Sequence, residues 1–597
     1  PCVGMVGGKI FFRGEQEYCS AQDVQLVKNL PDEEWGWLQE NLKIFLQAIG
    51  KKYLFEQLAA RRADWQLLLA RKPFEKPVRE VRPLTIYRKE VWENELGKGG
   101  LIGDLTSLDR TPIGLITTGT LRRYVPSWEN GKYLPPCQAN CPTGIPVQKR
   151  WELIRNGKMQ EAVNLALEYT PFPATVCGYL CPNLCMQNCT RHLMNMESVD
   201  VALLGKASLH AEAPAPLPPT GRKIAVIGGG AAGLSVAWQL RLRGHEVAIV
   251  ENRKRLGGKI TEAIPASRIP SEVVAHEIAR IAKSIRHINL NAALHKEKFR
   301  KLKNENDFIV IAAGASQPRQ LNVPGMEKAF TALDFLRQSK QGCAKVGEKV
   351  VIIGAGNVGC DAASEAYRLG AKSVILVDVQ KPASFGAERK QAEAAGARFL
   401  WPRFTKAITA RGVELTSGEI LLADTVIVAV GDMPDLSFLP EEIATERGFV
   451  LVDENYATSD PQVYAIGDAV RPGLLTDAIG AGRIASRTID DILKGASRTY
   501  DKLPPIDYHK VKLEYFDPRI GEFADTSSCA ANCASCGACR DCGMCEEICP
   551  QKAISRQPQP AGGFTYVADS ERCIGCGFCV GACPTGVWEL AENEPLE

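Results

Sequence analysis

Twice along this chain a short apolar run enters a glycine triplet spaced G-x-G-x-x-G. Each time it leaves through an amphipathic stretch towards a second apolar run that closes on an acidic residue. The first copy, RKIAVIGGGAAGLSVAWQLRLRGHEVAIVE, carries Gly228, Gly230, Gly233 and, at its end, Glu251. The second, EKVVIIGAGNVGCDAASEAYRLGAKSVILVD, carries Gly354, Gly356, Asn357, Gly359 and Asp378. Such a triplet turns a buried strand tightly into a helix whose N-terminal N–H groups face an anionic pyrophosphate, while the acid accepts from a ribose hydroxyl. Strand, loop, helix and acid in that order predict two α/β Rossmann-like units and two bound dinucleotides. In electron-transfer chains one such ligand is a fixed flavin and the other an exchangeable nicotinamide, so FAD and NAD(P)H are the expected pair. Asp378 favours a free 2′-hydroxyl and only Lys381 follows it closely, so NADH is preferred over NADPH. The competing readings are a solvated strand-end carboxylate at 378 and one loop kept only as a fold element.

The second constraint is cysteine. There are 21, and most fall at 137–189 and 529–583 rather than being spread as in a small disulfide-stapled domain. The run C-x2-C-x2-C-x3-C-P supplies three thiolates to one 4Fe-4S cubane and a fourth to another. It occurs as Cys539, Cys542, Cys545 and Cys549, then as Cys573, Cys576, Cys579 and Cys583, each followed by proline. The crossed assignment groups Cys539, Cys542, Cys545 and Cys583 around one centre, and Cys573, Cys576, Cys579 and Cys549 around the other. Structural zinc modules pair two C-x2-C knuckles instead of running three ligands into Cys-Pro. Cys529, Cys533 and Cys536 precede the first run and stay unassigned, with a slipped register left open. Further upstream, Cys137, Cys141, Cys177, Cys181, Cys185 and Cys189 flank a stretch of helical periodicity, enough for one N-terminal cluster held by four of the six. Cys2, Cys19, Cys343 and Cys360 stand alone and read as packing residues.

Charge excludes some partners. Lys plus Arg (72) nearly balances Asp plus Glu (69), so neither a nucleic-acid surface nor an anionic-membrane patch is expected. No apolar run reaches the roughly 18 residues of a membrane span, and no signal peptide precedes the first motif, so the expectation is a cytoplasmic protein without membrane insertion. The first residue is not Met, and the opening reads as the edge of a longer chain. No two histidines stand at metal-ligand spacing, and neither a nucleophile elbow nor a P-loop is present.

From about residue 135 to 500 the chain resembles the small subunit of glutamate synthase and its relatives, among them the N-terminal part of dihydropyrimidine dehydrogenase and the flavin subunit of ferredoxin-dependent transhydrogenases. That resemblance implies that the first loop, with the LGG ending at Gly258 and the segment 264–270, binds FAD. It implies that the second loop binds NAD(P)H, and that AIGD, with Gly467 and Asp468, reaches the flavin's ribityl chain. Two departures stand out. Relatives carry an R-C-x-x-C pair before the PPC stretch and an arginine pair after the second acid, and this chain has neither. A relative's Gln or Glu cluster ligand aligns with Gly205, which implies an all-thiolate site. The opening GMVGGKIFFRG is similar to the last turn of a glutamate synthase β-helix.

The expected plan is a β-helix-like tail (1–30), a helical linker region (31–130), an α-helical iron-sulfur domain (131–215), an FAD-binding domain in two parts (216–330 and 436–500) around an NAD(P)H-binding domain (331–435), and a ferredoxin domain with two 4Fe-4S centres (501–597). In the linker, Trp35, Leu38, Leu42 and Phe45 are expected on one helix face. The expected function is an oxidoreductase subunit that takes hydride from NAD(P)H and delivers single electrons through 4Fe-4S clusters. Its partner would be ferredoxin or a glutamate synthase-type large subunit in a hetero-oligomer. The alternative is a subunit of an electron-bifurcating oxidoreductase or transhydrogenase. With no flavin barrel of about 250 residues before the ferredoxin tail, the chain is not by itself dihydropyrimidine dehydrogenase.

Overall fold

The computed structural model describes residues 8–14, 24–71, 124–496, 503–518, 523–560 and 562–592. The chain divides into two compact units, residues 1–115 and 116–597. Cys2 and Cys19 and most of the linker region lie outside the described residues.

In the first unit, strands Lys9–Arg13 and Val24–Val27 flank Trp65–Ala70 in an antiparallel three-stranded sheet. The strand at 9–13 therefore does not stack as a rung of a parallel β-helix; its partner lies more than fifty residues away in sequence and runs the other way. Helix Asp32–Ala48 buries Leu38 and Leu46 and leaves Phe45 exposed. The expected face was wrong at its last position because four residues, not three, bring the next turn round beneath Leu42.

The second unit is built on two parallel five-stranded sheets. The first has the order Val463–Ala465, Phe308–Ile311, Lys223–Ile227, Glu246–Val250, His287–Asn289. The second has Phe330–Thr331, Thr425–Val428, Lys349–Ile353, Ser373–Val377, Arg398–Leu400. Central strands are buried on both faces, as expected where helices cover a parallel sheet. The chain crosses from the first sheet to the second after Phe308–Ile311 and returns after Thr425–Val428; at the crossing Gln317–Pro318 pairs antiparallel with Asp432–Met433. The fold is thus α/β, with two interleaved Rossmann-like units.

Helix Ala231–Leu242 leaves the first glycine loop and is apolar nearly all round, because it lies between the sheet and helix Leu475–Lys494. Trp238 donates its indole N–H to the carbonyl of Leu167 at 2.7 Å and Ser235 its hydroxyl to Ile479 at 2.8 Å. The first of these ties the nucleotide unit to the helical segment that carries the upstream cysteines, and the two share one core around the fully buried Trp151 and Trp238. The expected helical stretch there is two helices, Val147–Arg155 and Met159–Asn164, parted at Gly157. At the other end, strand Trp588–Glu592 pairs with Tyr124–Trp128, so the cysteine-rich tail is sewn to the start of the unit. Among the described residues no helix is long and apolar enough to cross a membrane.

Candidate redox site

Both glycine loops adopt the same geometry. Gly228 and Gly354 sit at φ of +108° and +105°, where a side chain is disfavoured. A Cβ on Gly233 would fall 1.9 Å from the carbonyl oxygen of Gly228, and one on Gly359 would fall 2.2 Å from that of Gly354. The third glycine of each triplet therefore lets helix and strand meet, which is the packing a dinucleotide loop needs.

Around the first loop the structure gathers the residues expected there. Glu251, buried, accepts from the N–H of Gly229 at 2.6 Å and of Arg253 at 2.7 Å. Gly258 approaches so closely that its Cβ would lie 3.0 Å from Gly230 Cα, and Gly467 lies over Ala232 at the helix start. Lys259 Nζ stands 3.0 Å from Asp432 and 3.3 Å from Asp468, joining the crossing strand to the AIGD loop. Around the second loop, Asp378 accepts from the N–H of Ala355 at 2.9 Å, and the Asn357 side chain accepts from the N–H of Phe385 at 3.0 Å. Each acid thus holds its own glycine loop in shape at the place where a ribose edge would lie. Sequence reading missed Arg403, which follows the neighbouring strand and donates its backbone N–H to the carbonyl of Asp378 at 2.8 Å. Parallel-strand order, which sequence proximity does not reveal, puts it there.

A buried ion cluster locks the two nucleotide units together. Arg268, from segment 264–270, reaches Asp361 at 2.7 Å and Glu388 at 2.8 Å, and Ser267 donates to Glu365 at 2.9 Å. Burial pushes the Asp361 carboxyl up to about 6, against the pull of Arg268.

The tail's eight motif cysteines surround two voids in the crossed grouping. Cys539, Cys542, Cys545 and Cys583 line one, and Cys549, Cys573, Cys576 and Cys579 line another. Burial raises the thiols of Cys539 and Cys579 to about 12 and that of Cys545 to about 11. Backbone N–H groups of Asp541, Ala553 and Gly575 point at the sulfurs of Cys539, Cys549 and Cys573 at 3.4, 3.2 and 3.4 Å. Such donors stabilise charge on cluster sulfur. No three of the described Cys, His, Asp or Glu side chains converge on a single-ion position. A four-iron cube fits this arrangement, because its ligands ring a void instead of meeting at a point.

Upstream, the six cysteines separate. Burial first, then the thiols of Cys177, Cys141 and Cys181, raise the Cys185 thiol, and Cys185 also lines the pocket of Cys137 and Cys189. The Cys137 thiol is raised by burial, then by Cys533 and Cys536 of the tail, and then by Cys185 and Cys189. Cys177 rides on the π-helical segment Pro173–Leu180, whose first N–H groups, at Ala174 and Thr175, are held by the buried Glu277 at 3.0 and 2.8 Å. Gly205 presses on this segment: a Cβ there would lie 2.3 Å from Gly178 N. No side chain at 205 fits. Arg150, fully buried, donates to the Ala162 carbonyl and to Ser208 and has no hydrogen-bond partner for Nη1 among the described residues. It faces Cys177 and Cys185 and is suited to offset the charge of a thiolate-bound cluster.

Residues 219–482 match the family described as pyridine nucleotide-disulphide oxidoreductase. Residues 132–213 match dihydropyrimidine dehydrogenase domain II, 4Fe-4S cluster, and 538–587 match a 4Fe-4S dicluster domain. The chain is 30% identical to the NAD-dependent dihydropyrimidine dehydrogenase subunit PreT of Escherichia coli K12, over 60% of this chain and 92% of that one. It is 28% identical to the NADPH-Fe(3+) oxidoreductase subunit beta of Geobacter sulfurreducens, over 53% of each. It is 27% identical to the NADP(+)-dependent formate dehydrogenase subunit beta of Moorella thermoacetica, over 74% of this chain and 70% of that one. The chain thus spans about half the length of the Geobacter relative.

Proposed function

We propose, for a chain that belongs to the pyridine nucleotide-disulphide oxidoreductases carrying 4Fe-4S domains, that it converts hydride from a nicotinamide into single electrons for a partner. The observation that carries this reading is the pair of glycine loops of matching backbone geometry, each on a parallel sheet, in the same compact unit as two pockets lined by four cysteines each. Bound FAD supplies the step from two electrons to one, and 4Fe-4S clusters supply single-electron transfer. Gly228, Gly230, Gly233, Glu251, Gly258, Gly467 and Asp468 are suited to hold the flavin nucleotide. Gly354, Gly356, Asn357, Gly359 and Asp378 are suited to hold the nicotinamide nucleotide. One cluster would sit on Cys141, Cys177, Cys181 and Cys185, and two in the tail.

Asp378 supports NADH. NADPH is the second reading: a 2′-phosphate seeks arginine, and Arg403 lies on the segment whose backbone bonds Asp378, although its guanidinium donates to the Pro402 carbonyl and stands 3.8 Å from Glu419. All three relatives are named as subunits, which supports a hetero-oligomer in which the substrate site lies on another chain. A glutamate synthase-type large subunit or ferredoxin as partner rests on the resemblance over 135–500; a bifurcating or transhydrogenase complex is served equally by the same parts. The test is anaerobic titration of the purified chain with NADH and NADPH separately. Loss of oxidised-flavin absorbance followed by reduction of a one-electron acceptor is expected, and a chain that binds no flavin refutes the proposal.

A further inference from the structure

We propose that Cys137, Cys189, Cys533 and Cys536 hold a fourth 4Fe-4S cluster, assembled from opposite ends of the larger unit. This goes beyond the three centres of the proposed function and needs no assumption about the nicotinamide or the partner.

The four sulfurs come from distant stretches of sequence, yet Cys137, Cys189, Cys533 and Cys536 line one pocket, with Cys185 of the neighbouring group also on its wall, and four thiols of the tail's motifs line each of two pockets there in the same way. The tail segment is pinned there. Helix Thr526–Asn532 packs on helix Val147–Arg155, Arg155 donates to the Ala530 carbonyl at 2.9 Å, and Arg191 donates to the Asn532 carbonyl at 3.0 Å. The hydroxyl of Thr190 lies 3.2 Å from the sulfur of Cys536.

Charge supplies a second, independent observation. Arg191 is fully buried, its Nε donates to the Glu197 carbonyl at 2.7 Å, and its Nη2 has no hydrogen-bond partner among the described residues. No described carboxylate forms an ion pair with it; the rings of Phe516 and Phe523 flank it at 6.0 and 5.6 Å. A buried guanidinium without a counter-charge is strongly disfavoured. An anionic thiolate-bound cluster beside Cys189 and Cys533 provides that charge, just as the Cys141 group does for Arg150.

The cysteine count then closes. The two bunches hold 17 cysteines, 6 at 137–189 and 11 at 529–583. Four rings of four use all but Cys529, whose sulfur lies 3.7 Å from the Asp200 carbonyl. A zinc ion would draw four sulfurs to about 2.3 Å from one point, and no such convergence exists among the described residues.

The test is a count on the full chain, reconstituted anaerobically with iron and sulfide. About sixteen irons and as many labile sulfides are expected, with zinc absent. Cys536→Ser and Cys137→Ser should each lower iron to about twelve, delete the same component of the dithionite-reduced EPR spectrum and keep full FAD. Cys529→Ser should leave all sixteen. About twelve irons in the native chain, unchanged by Cys536→Ser, or one zinc in their place, overturns the fourth centre and leaves the three-cluster reading standing. Cys181→Ser separates the two readings, since it should delete a different EPR component. Should Cys536→Ser also lose FAD, the native count and Cys137→Ser, on the opposite wall, decide the matter.

Discussion

Replacing Arg268 by Met removes the one cation between Asp361 and Glu388 and leaves two carboxylates in a site where the arginine is 6% exposed and its partners 15% and 12%. Breaking a buried pair from one side costs about 3–5 kcal/mol, against about 0–1 kcal/mol for a surface pair. Asp361 makes the cost depend on pH. Its folded pKa, about 6, lies above the usual carboxylate range, so the folded chain binds the extra proton and stability falls as pH rises towards 6, then levels. Without Arg268 the folded pKa rises further, so the fall continues above pH 6 by up to about 1.4 kcal/mol per unit. The variant's deficit is therefore larger at pH 8 than at pH 6. Anaerobic scanning calorimetry of the full chain should show the nucleotide-unit transition lowered by roughly 6–20 °C at pH 8, from about 2–4 °C per kcal/mol, and by less at pH 6. Adding Asp361→Asn should recover part of the loss. A depression under about 2 °C, or one equal at both pH values, refutes the role given to this cluster.

Gly359→Ala should abolish flavin bleaching by NADH while FAD content stays full, because its Cβ would meet the Gly354 carbonyl at 2.2 Å; Gly233→Ala should lose FAD itself, and the flavin-to-protein ratio separates the two. Cys579→Ser should lose about four irons and slow reduction of external one-electron acceptors, yet leave NADH bleaching of the flavin intact, as stopped-flow would show. Glu589 receives Lys132, Lys510 and Tyr133, and against the cost of burial these partners hold its carboxyl down at about 2. A depressed folded pKa contributes stability above the ordinary carboxylate range that is lost as pH falls towards 2. Glu589→Gln should free the tail strand, seen as faster limited proteolysis near residue 588 at neutral pH, with the difference from the native chain shrinking in acid.

Much of the fold was legible because its signals are local. The glycine triplets, the apolar runs and the closing acids lie within about thirty residues of one another, and strand-loop-helix geometry follows from steric rules that act over that distance. The crossed grouping of the tail's eight cysteines followed from spacing alone. The face of the first helix went wrong by one residue, Phe45 for Leu46, where the apolar pattern offered both.

Thiol chemistry, dinucleotide loops and the α/β class were settled by the amino-acid order itself, because each depends on residues a few positions apart. The seating of the upstream cysteines was not: Cys137 and Cys141 are four residues apart, yet only Cys137 lines the pocket shared with Cys189, Cys533 and Cys536. Nor were the placing of Arg403 beside Asp378, the burial of Arg150 and Arg191, and the seating of Cys533 and Cys536 across the chain from Cys189. These are contacts of high sequence separation, decided by how sheets and helices pack and by where a buried charge can find its opposite, and only the folded chain brings them together.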